Sequence, residues 1–99
     1  MLLAIDAGNT NVNFAVFGNT TRKSLWRIKT DSARTVDEYV SFLIPLFHSV
    51  DLKPSDIDHV IISSVVPDAN FSLRMLSHQM FHMRPDFIGK DITDLGVAV

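Results

Sequence analysis

The sequence predicts an α/β fold in which helices cover one mixed β-sheet, and three observations support this class. Three strand-like segments come first, Met1–Asp6, Val12–Phe17 and Leu25–Lys29, with turn-forming residues between them, as at 18–21. Two segments with apolar residues at helical spacing follow. Between them lies Val60–Val65, a run rich in β-branched residues. A meander followed by strand-helix units indicates a mixed sheet with helical cover.

The first three segments predict an antiparallel meander. Met1–Asp6 is an apolar run that ends abruptly in a carboxylate, as a buried strand would. Val12–Phe17 alternates between two sets of side chains, which is the pattern of a strand. Leu25–Lys29 alternates in the same way and places Trp26 and Ile28 on one face.

A helix is predicted after the meander. Thr35 and Glu38 have the spacing of a capping box, in which each side chain accepts a hydrogen bond from a backbone N–H at the helix start. The apolar positions that follow form one stripe: Val36, Tyr39, Val40, Leu43, Phe47 and Val50. Pro45 lies inside this pattern and predicts a kink or a break, because proline lacks an N–H and crowds the preceding turn.

The second half of the chain predicts strand, helix and strand. The β-branched run at Val60–Val65 is typical of a strand buried on both faces. A second helix is predicted from about Ala69 to Phe81, and a last short strand covers Asp86–Gly89. Lys90–Val99 has no firm pattern.

Composition excludes several classes of protein. The chain has 99 residues, 46% of them hydrophobic and 20% charged, which fits one globular domain or less. The net charge is −2 and the nine basic residues are scattered, so no nucleic-acid partner is expected. There are no cysteines for disulfides or thiolate metal sites. No stretch approaches the length of a membrane span, and we expect a cytoplasmic protein that binds no membrane.

The turn after the first predicted strand carries the strongest functional signal. Gly8 lets the backbone approach a ligand closely and tolerates positive φ, and successive N–H groups in such a turn can bind an anion. Asn9 and Thr10 add side-chain donors. Asp6 can hold a hydrated Mg²⁺, which prefers carboxylates, water and phosphates. The candidate nucleotide-binding residues are therefore Asp6, Gly8, Asn9, Thr10 and Asn11, with Asp6 as the metal ligand.

A plain hairpin turn explains the same residues, because aspartate, glycine and asparagine are ordinary turn formers. The segment is not a Walker loop, since no Gly-Lys-Ser or Gly-Lys-Thr follows. It is not a dinucleotide fingerprint either, because the second and third glycines are missing.

The stretch Ile5–Asn11 resembles the first phosphate motif of type III pantothenate kinases, members of the acetate and sugar kinase/Hsp70/actin superfamily. Four further stretches follow in the order of that family: Trp26–Asp31, Thr35–Tyr39, Ile61–Pro67 and Met83–Pro85. The resemblance implies a ribonuclease-H-like sheet that forms one half of an actin-like, two-domain fold. Residues 1–99 would be the N-terminal ATPase subdomain that carries the first phosphate motif.

The resemblance also implies a function. Such an enzyme transfers the γ-phosphate of ATP to pantothenate, the first step towards coenzyme A. Asp6 would bind Mg²⁺ through water, and Gly8, Asn9 and Thr10 would contact the phosphates. A monovalent cation, K⁺ or NH₄⁺, and a homodimer with pantothenate near its interface would complete the enzyme.

No catalytic residue is expected within the chain on this resemblance. The family's Gly-x-Asp-Arg segment, its second phosphate motif and its adenosine-binding half would all lie beyond Val99. The chain is then expected to be an N-terminal segment with negligible kinase activity by itself. The alternatives are a non-catalytic nucleotide-binding relative of the Bvg accessory factor type, another phosphotransferase of the superfamily, and a plain interaction module.

Two other sets of residues have side chains that can bind a metal or act as nucleophiles. His78 and His82 are four apart on a predicted helix, but no third metal ligand accompanies them, so surface histidines near a helix C-terminus are favoured. Ser63 and Ser64 lie at a strand end without a nucleophile elbow or an assigned base. The resemblance places Ser64–Pro67 at a strand end that faces the cleft, where it could line a ligand site.

Overall fold

The computed structural model of the chain describes residues 1–19 and 21–88. Within them, seven strands and α-helices follow the predicted order: β1 (Leu2–Ala7), β2 (Asn11–Gly18), β3 (Thr21–Lys29), α1 (Val36–Ser49), β4 (His59–Ser64), α2 (Asn70–Phe81) and β5 (Asp86–Ile88). Short 3₁₀ turns at Pro54–Asp56 and Pro67–Ala69 precede β4 and α2. Gly89 of the last predicted strand and the unpatterned residues 90–99 lie outside the described part.

The strands form one mixed sheet in the order β3-β2-β1-β4-β5. β1 pairs antiparallel with β2, and β2 pairs antiparallel with β3, which confirms the meander. β4 pairs parallel with both β1 and β5. The predicted α/β class is confirmed, and the arrangement is consistent with the N-terminal half of an actin-like ATPase fold. The carboxyl ends of β1, β3, β4 and β5 therefore share one edge of the sheet, which we term the carboxyl edge.

β3 begins at Thr21, four positions earlier than predicted. Its first residues are exposed and polar, and Arg22 pairs with Phe17 beside a register shift at which Lys23 of β3 has no partner in β2. Asn19 turns the chain with a φ of 58°, in the left-handed region that asparagine tolerates. Because an edge strand can be exposed on both faces, the hydrophobic pattern did not reveal this extension.

Helix α1 has the predicted N-terminus but not the predicted break. The Glu38 N–H donates to the Thr35 hydroxyl at 3.3 Å, and the Thr35 N–H donates to the Glu38 carboxylate at 2.9 Å, which confirms the capping box. Of the predicted kink or break at Pro45, the break does not occur, since α1 continues to Ser49, and the kink stays a prediction. Pro45 is exposed, and so is Ser41, whose carbonyl loses its helical donor, so water can satisfy that carbonyl.

Both helices pack on the same face of the sheet. At its centre, the Phe14 ring lies 6.1 Å from the Tyr39 ring and 5.9 Å from the Phe42 ring. Phe47 joins the two helices to the sheet, with its ring 5.5 Å from that of Trp26 and 5.7 Å from that of Phe81. The fully buried side chains of this core also include Leu3, Ile5, Val12, Val16, Leu43, Val60, Ile62, Leu73 and Leu76.

The opposite face, which we term the open face, carries no helix of the described part. Leu2, Ala4 and Asp6 of β1 point to it, because side chains alternate along a strand. In β4, Val60 and Ile62 are buried while Ile61 is only partly buried. The prediction that β4 is buried on both faces is therefore wrong for the described structure.

Tyr39 makes the stability of this core depend on pH. Burial raises the pKa of the Tyr39 phenol above its ordinary value of 10.0, although the nearby Arg34 guanidinium lowers it. The folded state then holds the phenolic proton more tightly than the unfolded state does. This contribution is fully present below about pH 10 and is lost as the pH rises from there through the folded pKa.

We expect urea unfolding to show a larger loss of stability between about pH 8 and pH 11 for the wild type than for Tyr39→Phe, which lacks the titrating group. The comparison removes the contributions of lysine and arginine, which both proteins share. Identical pH profiles for the two proteins would contradict the assignment.

Candidate functional site

The turn at residues 8–10 joins β1 to β2 at the carboxyl edge. The Gly8 N–H donates to the Asn11 carbonyl at 2.9 Å, directly after the last β1–β2 pair, Ala7 with Val12. The φ of Gly8 lies outside the left-handed region, so the turn does not use the tolerance of glycine for positive φ. A Cβ at this position would lie 3.3 Å from the Asn11 carbonyl oxygen, so a larger residue would require that carbonyl to move by a few tenths of an ångström.

Thr30, the residue after β3, holds this turn in place. Its hydroxyl donates to the Gly8 carbonyl at 2.6 Å, and its N–H donates to the Thr10 carbonyl at 2.9 Å. Two backbone carbonyls of the turn are therefore fixed by one residue from another strand. The residue patterns did not identify Thr30 as a site residue, although it lies in one of the stretches that carry the family resemblance.

The outer surface of the turn keeps hydrogen-bond donors free. Asn9 and Thr10 are both exposed. Within residues 1–19 and 21–88, neither the Asn9 nor the Thr10 N–H has a backbone acceptor. Adjacent free N–H groups on a turn are suited to an anion. Asn11, at the start of β2, is half-buried and pairs with Lys29 of β3.

Asp6 lies beside the turn with an exposed carboxylate on the open face. Register places Asn13 of β2 on one side of it and Ser63 of β4 on the other. The Asn13 side-chain oxygen is buried and has no hydrogen-bond partner among the residues that the structure describes. A buried acceptor without a donor is costly, and such an atom beside a carboxylate suits a bound group that presents donors. The sequence patterns do not indicate Asn13 as a site residue, because only the strand register brings it next to Asp6.

β4 reaches the same edge on the other side of β1. The Val65 N–H donates to the Ala7 carbonyl at 3.0 Å and extends the pairing past Ser64. The Ser64 hydroxyl accepts from the Val66 N–H at 3.0 Å and donates to the Val66 carbonyl at 3.2 Å. This hydroxyl is committed to the local backbone, whereas Ser63 lies next to Asp6.

Both helices begin at the carboxyl edge, because α1 follows β3 and α2 follows β4. Their N-termini carry the positive ends of the helix dipoles. The cap residue of α2, Ala69, makes no side-chain hydrogen bond to the helix. At α1 the acidic side chains of Asp37 and Glu38 already lie in the first turn, next to this positive end.

His78 lies in the last turn of α2 and His82 at its C-cap, about 12 Å and about 18 Å along the helix from its N-terminus. Both are exposed, which fits surface histidines. His82 ends the helix with a φ of 57°, the conformation in which glycine is common. In the part of the chain that the structure describes, no group of three or more His, Cys, Asp or Glu side chains could hold a metal ion. Neither of the described helices has the length and hydropathy of a membrane span.

Comparison with known proteins identifies relatives along the whole chain. The family profile described as type III pantothenate kinase matches residues 2–99. The chain is 46% identical over 99 residues to the type III pantothenate kinase of Rhodospirillum rubrum, covering 100% of this chain and 38% of that protein. The figures for the enzyme of Caulobacter vibrioides are the same. For the enzyme of Anaeromyxobacter dehalogenans, identity is 42% over 89 residues, covering 90% of this chain and 35% of the relative.

The chain thus spans about 38% of the length of these curated relatives that it matches over all 99 residues. The family resemblance of the motif and of the stretches that follow it is confirmed over the full chain.

The Thr30 contacts predict a specific loss of stability. Thr30→Val keeps the β-branched shape but removes the donor to the Gly8 carbonyl, and we expect it to lower the free energy of unfolding by about 1 kcal/mol. Denaturant unfolding would measure the change. Thr21→Val, at the start of β3, is the control, because Thr21 is exposed and its substitution should have little effect. Equal losses for the two variants would show that the Thr30 hydroxyl does not hold the turn.

Proposed function

Because this chain belongs to the type III pantothenate kinase family, we propose that it supplies the phosphate-binding part of an enzyme that transfers the γ-phosphate of ATP to pantothenate. The observation that carries the proposal is the turn at residues 8–10, which presents free N–H groups beside the exposed carboxylate of Asp6. A rigid set of donors next to a carboxylate is what a metal-bound phosphate requires.

We assign the contacts as follows. The N–H groups and side chains of Asn9 and Thr10 donate to phosphate oxygens, and Gly8 keeps the backbone close enough to the ligand for them to do so. Asn11 supports the turn through its carbonyl, which accepts from Gly8 at 2.9 Å. These donors need no reorganisation when the nucleotide binds, because Thr30 already holds the turn.

The residues around Asp6 fit a hydrated Mg²⁺. The exposed carboxylate of Asp6 can accept hydrogen bonds from metal-bound water. When bound, Mg²⁺ neutralises phosphate charge and so helps phosphoryl transfer. Asp6 is the residue of this chain that would hold it.

Positioning and charge neutralisation account for most of the catalysis of phosphoryl transfer. In this chain, the turn fixes the phosphates and Asp6 fixes the metal. We assign no general base to the described residues. Following the family resemblance, we propose that pantothenate binds near the interface of a homodimer and that K⁺ or NH₄⁺ assists the reaction.

The test is pantothenate-dependent release of ADP by the full-length protein with Mg²⁺ and K⁺ present. Asp6→Asn keeps the shape of the side chain but removes its charge, and we expect turnover to fall by about 100-fold or more. Asp51→Asn is the matched control, because Asp51 is exposed at the far end of α1 and asparagine tolerates its φ of 58°.

The other outcomes separate the competing functions. ATP binding without pantothenate turnover would favour a nucleotide-binding regulatory protein. Turnover with a sugar or acetate instead would favour another phosphotransferase. Absence of ATP binding would leave residues 6–11 as a plain hairpin turn and would overturn the proposal.

A further inference from the structure

Strand register aligns four polar side chains in one row across the sheet. Ser63 of β4 pairs with Asp6 of β1, Asp6 pairs with Asn13 of β2, and Asn13 pairs with Arg27 of β3. All four point to the open face, because the residues on either side of them in each strand point to the helices. The row lies next to the turn at residues 8–10, and Arg27 is its one cation.

We propose that Arg27 is a phosphate-binding residue of this site, with its guanidinium on the terminal phosphates of the nucleotide whose metal Asp6 holds. The proposal rests on the function proposed above and adds a residue that the phosphate motif does not contain. Arginine suits the role, since its planar group can donate two parallel hydrogen bonds to one phosphate.

The spacing between Asp6 and Arg27 favours a ligand between them over a direct ion pair. They are separated by two strand spacings, roughly 10 Å between backbones. Within the described residues Arg27 makes no ion pair, with Asp6 or with any other carboxylate. The metal–oxygen bonds of a hydrated Mg²⁺ are about 2.1 Å long, and a hydrogen bond from arginine to a phosphate oxygen is about 2.8 Å long. A ligand held by both groups therefore needs more space than one strand spacing provides. Asn13, the residue between them, is small enough to leave that room.

The backbone of Arg27 is held firmly although its side chain is exposed. Its neighbours Trp26 and Ile28 pack against the core, and the Trp26 ring lies 5.5 Å from that of Phe47. Thr30, three residues on, is bonded to the turn itself. Arg27 and the turn are thus parts of one rigid unit, so a ligand on the turn meets the guanidinium without reordering of the backbone.

Protection of the sheet edge is the competing explanation, because charged residues on edge strands discourage pairing with other chains. That explanation applies equally to Arg22, Lys23 and Lys29, which are also on β3. Of these four cations, only Arg27 lies in the row that contains Asp6 and Asn13. A ligand bound over this row would supply the partner that the Arg27 guanidinium does not have among the described residues.

The experiment measures the affinity of the full-length protein for Mg·ATP and Mg·ADP by titration calorimetry. Arg27→Gln should weaken Mg·ATP binding about tenfold or more, and ADP binding less, because a hydrogen bond between charged groups is lost at the terminal phosphate. Arg27→Lys should restore part of the affinity. Arg22→Gln is the matched control, with the same charge change on the same strand about 16 Å away. Thermal unfolding of each variant should be unchanged, since both arginines are exposed.

Three other outcomes would each overturn the proposed role of Arg27, for different reasons. If the wild type binds Mg·ATP and Arg27→Gln binds it equally well, Arg27 does not touch the phosphates and the proposed kinase function stands. If Arg22→Gln weakens binding as much as Arg27→Gln, the effect is one of net charge and not of contact. If the wild type binds no ATP, the proposed function fails and the role of Arg27 fails with it.

Discussion

The register of β1 between β2 and β4 is the constraint on which the rest of the molecule depends. Leu3, Ile5 and Ala7 of this strand are buried against the helices, so Asp6 must point to the opposite face. A slip of one residue would exchange the two faces and bury the carboxylate in the core. The burial of three apolar side chains therefore fixes where Asp6 points, and the pairing with β2 and β4 fixes its neighbours.

The same constraint brings together groups that are distant in sequence. Thr30 bonds to the turn because β3 ends beside it, two strands from β1. Both helices start at this edge because each follows a strand that ends there. The candidate site is thus formed by the ends of several strands, whereas the core is formed by their central residues. Few residues therefore have to serve both the site and the core.

Much of this arrangement could be predicted from local patterns in the sequence. Apolar periodicity predicted the order of strands and helices, and the spacing of Thr35 and Glu38 predicted the start of α1. Other features depend on contacts between distant residues. The row from Ser63 to Arg27 exists only through register, and the anchoring by Thr30 depends on a hydrogen bond across 22 positions. The predicted break at Pro45 does not occur, because the free-energy cost of a proline inside a helix depends on whether the carbonyl that loses its donor faces water. Periodicity does not reveal whether it does.

The strand order also affects how the molecule is made. β1, β2 and β3 are consecutive in sequence, so the hairpin with its turn can form early and locally. β4 can pair with β1 only after α1 has been synthesised, since that helix lies between them in the chain. Until then β1 is an uncovered edge strand with unpaired backbone groups, which other nascent chains can join. The strand that lies third among the five described strands is thus an exposed edge during part of translation.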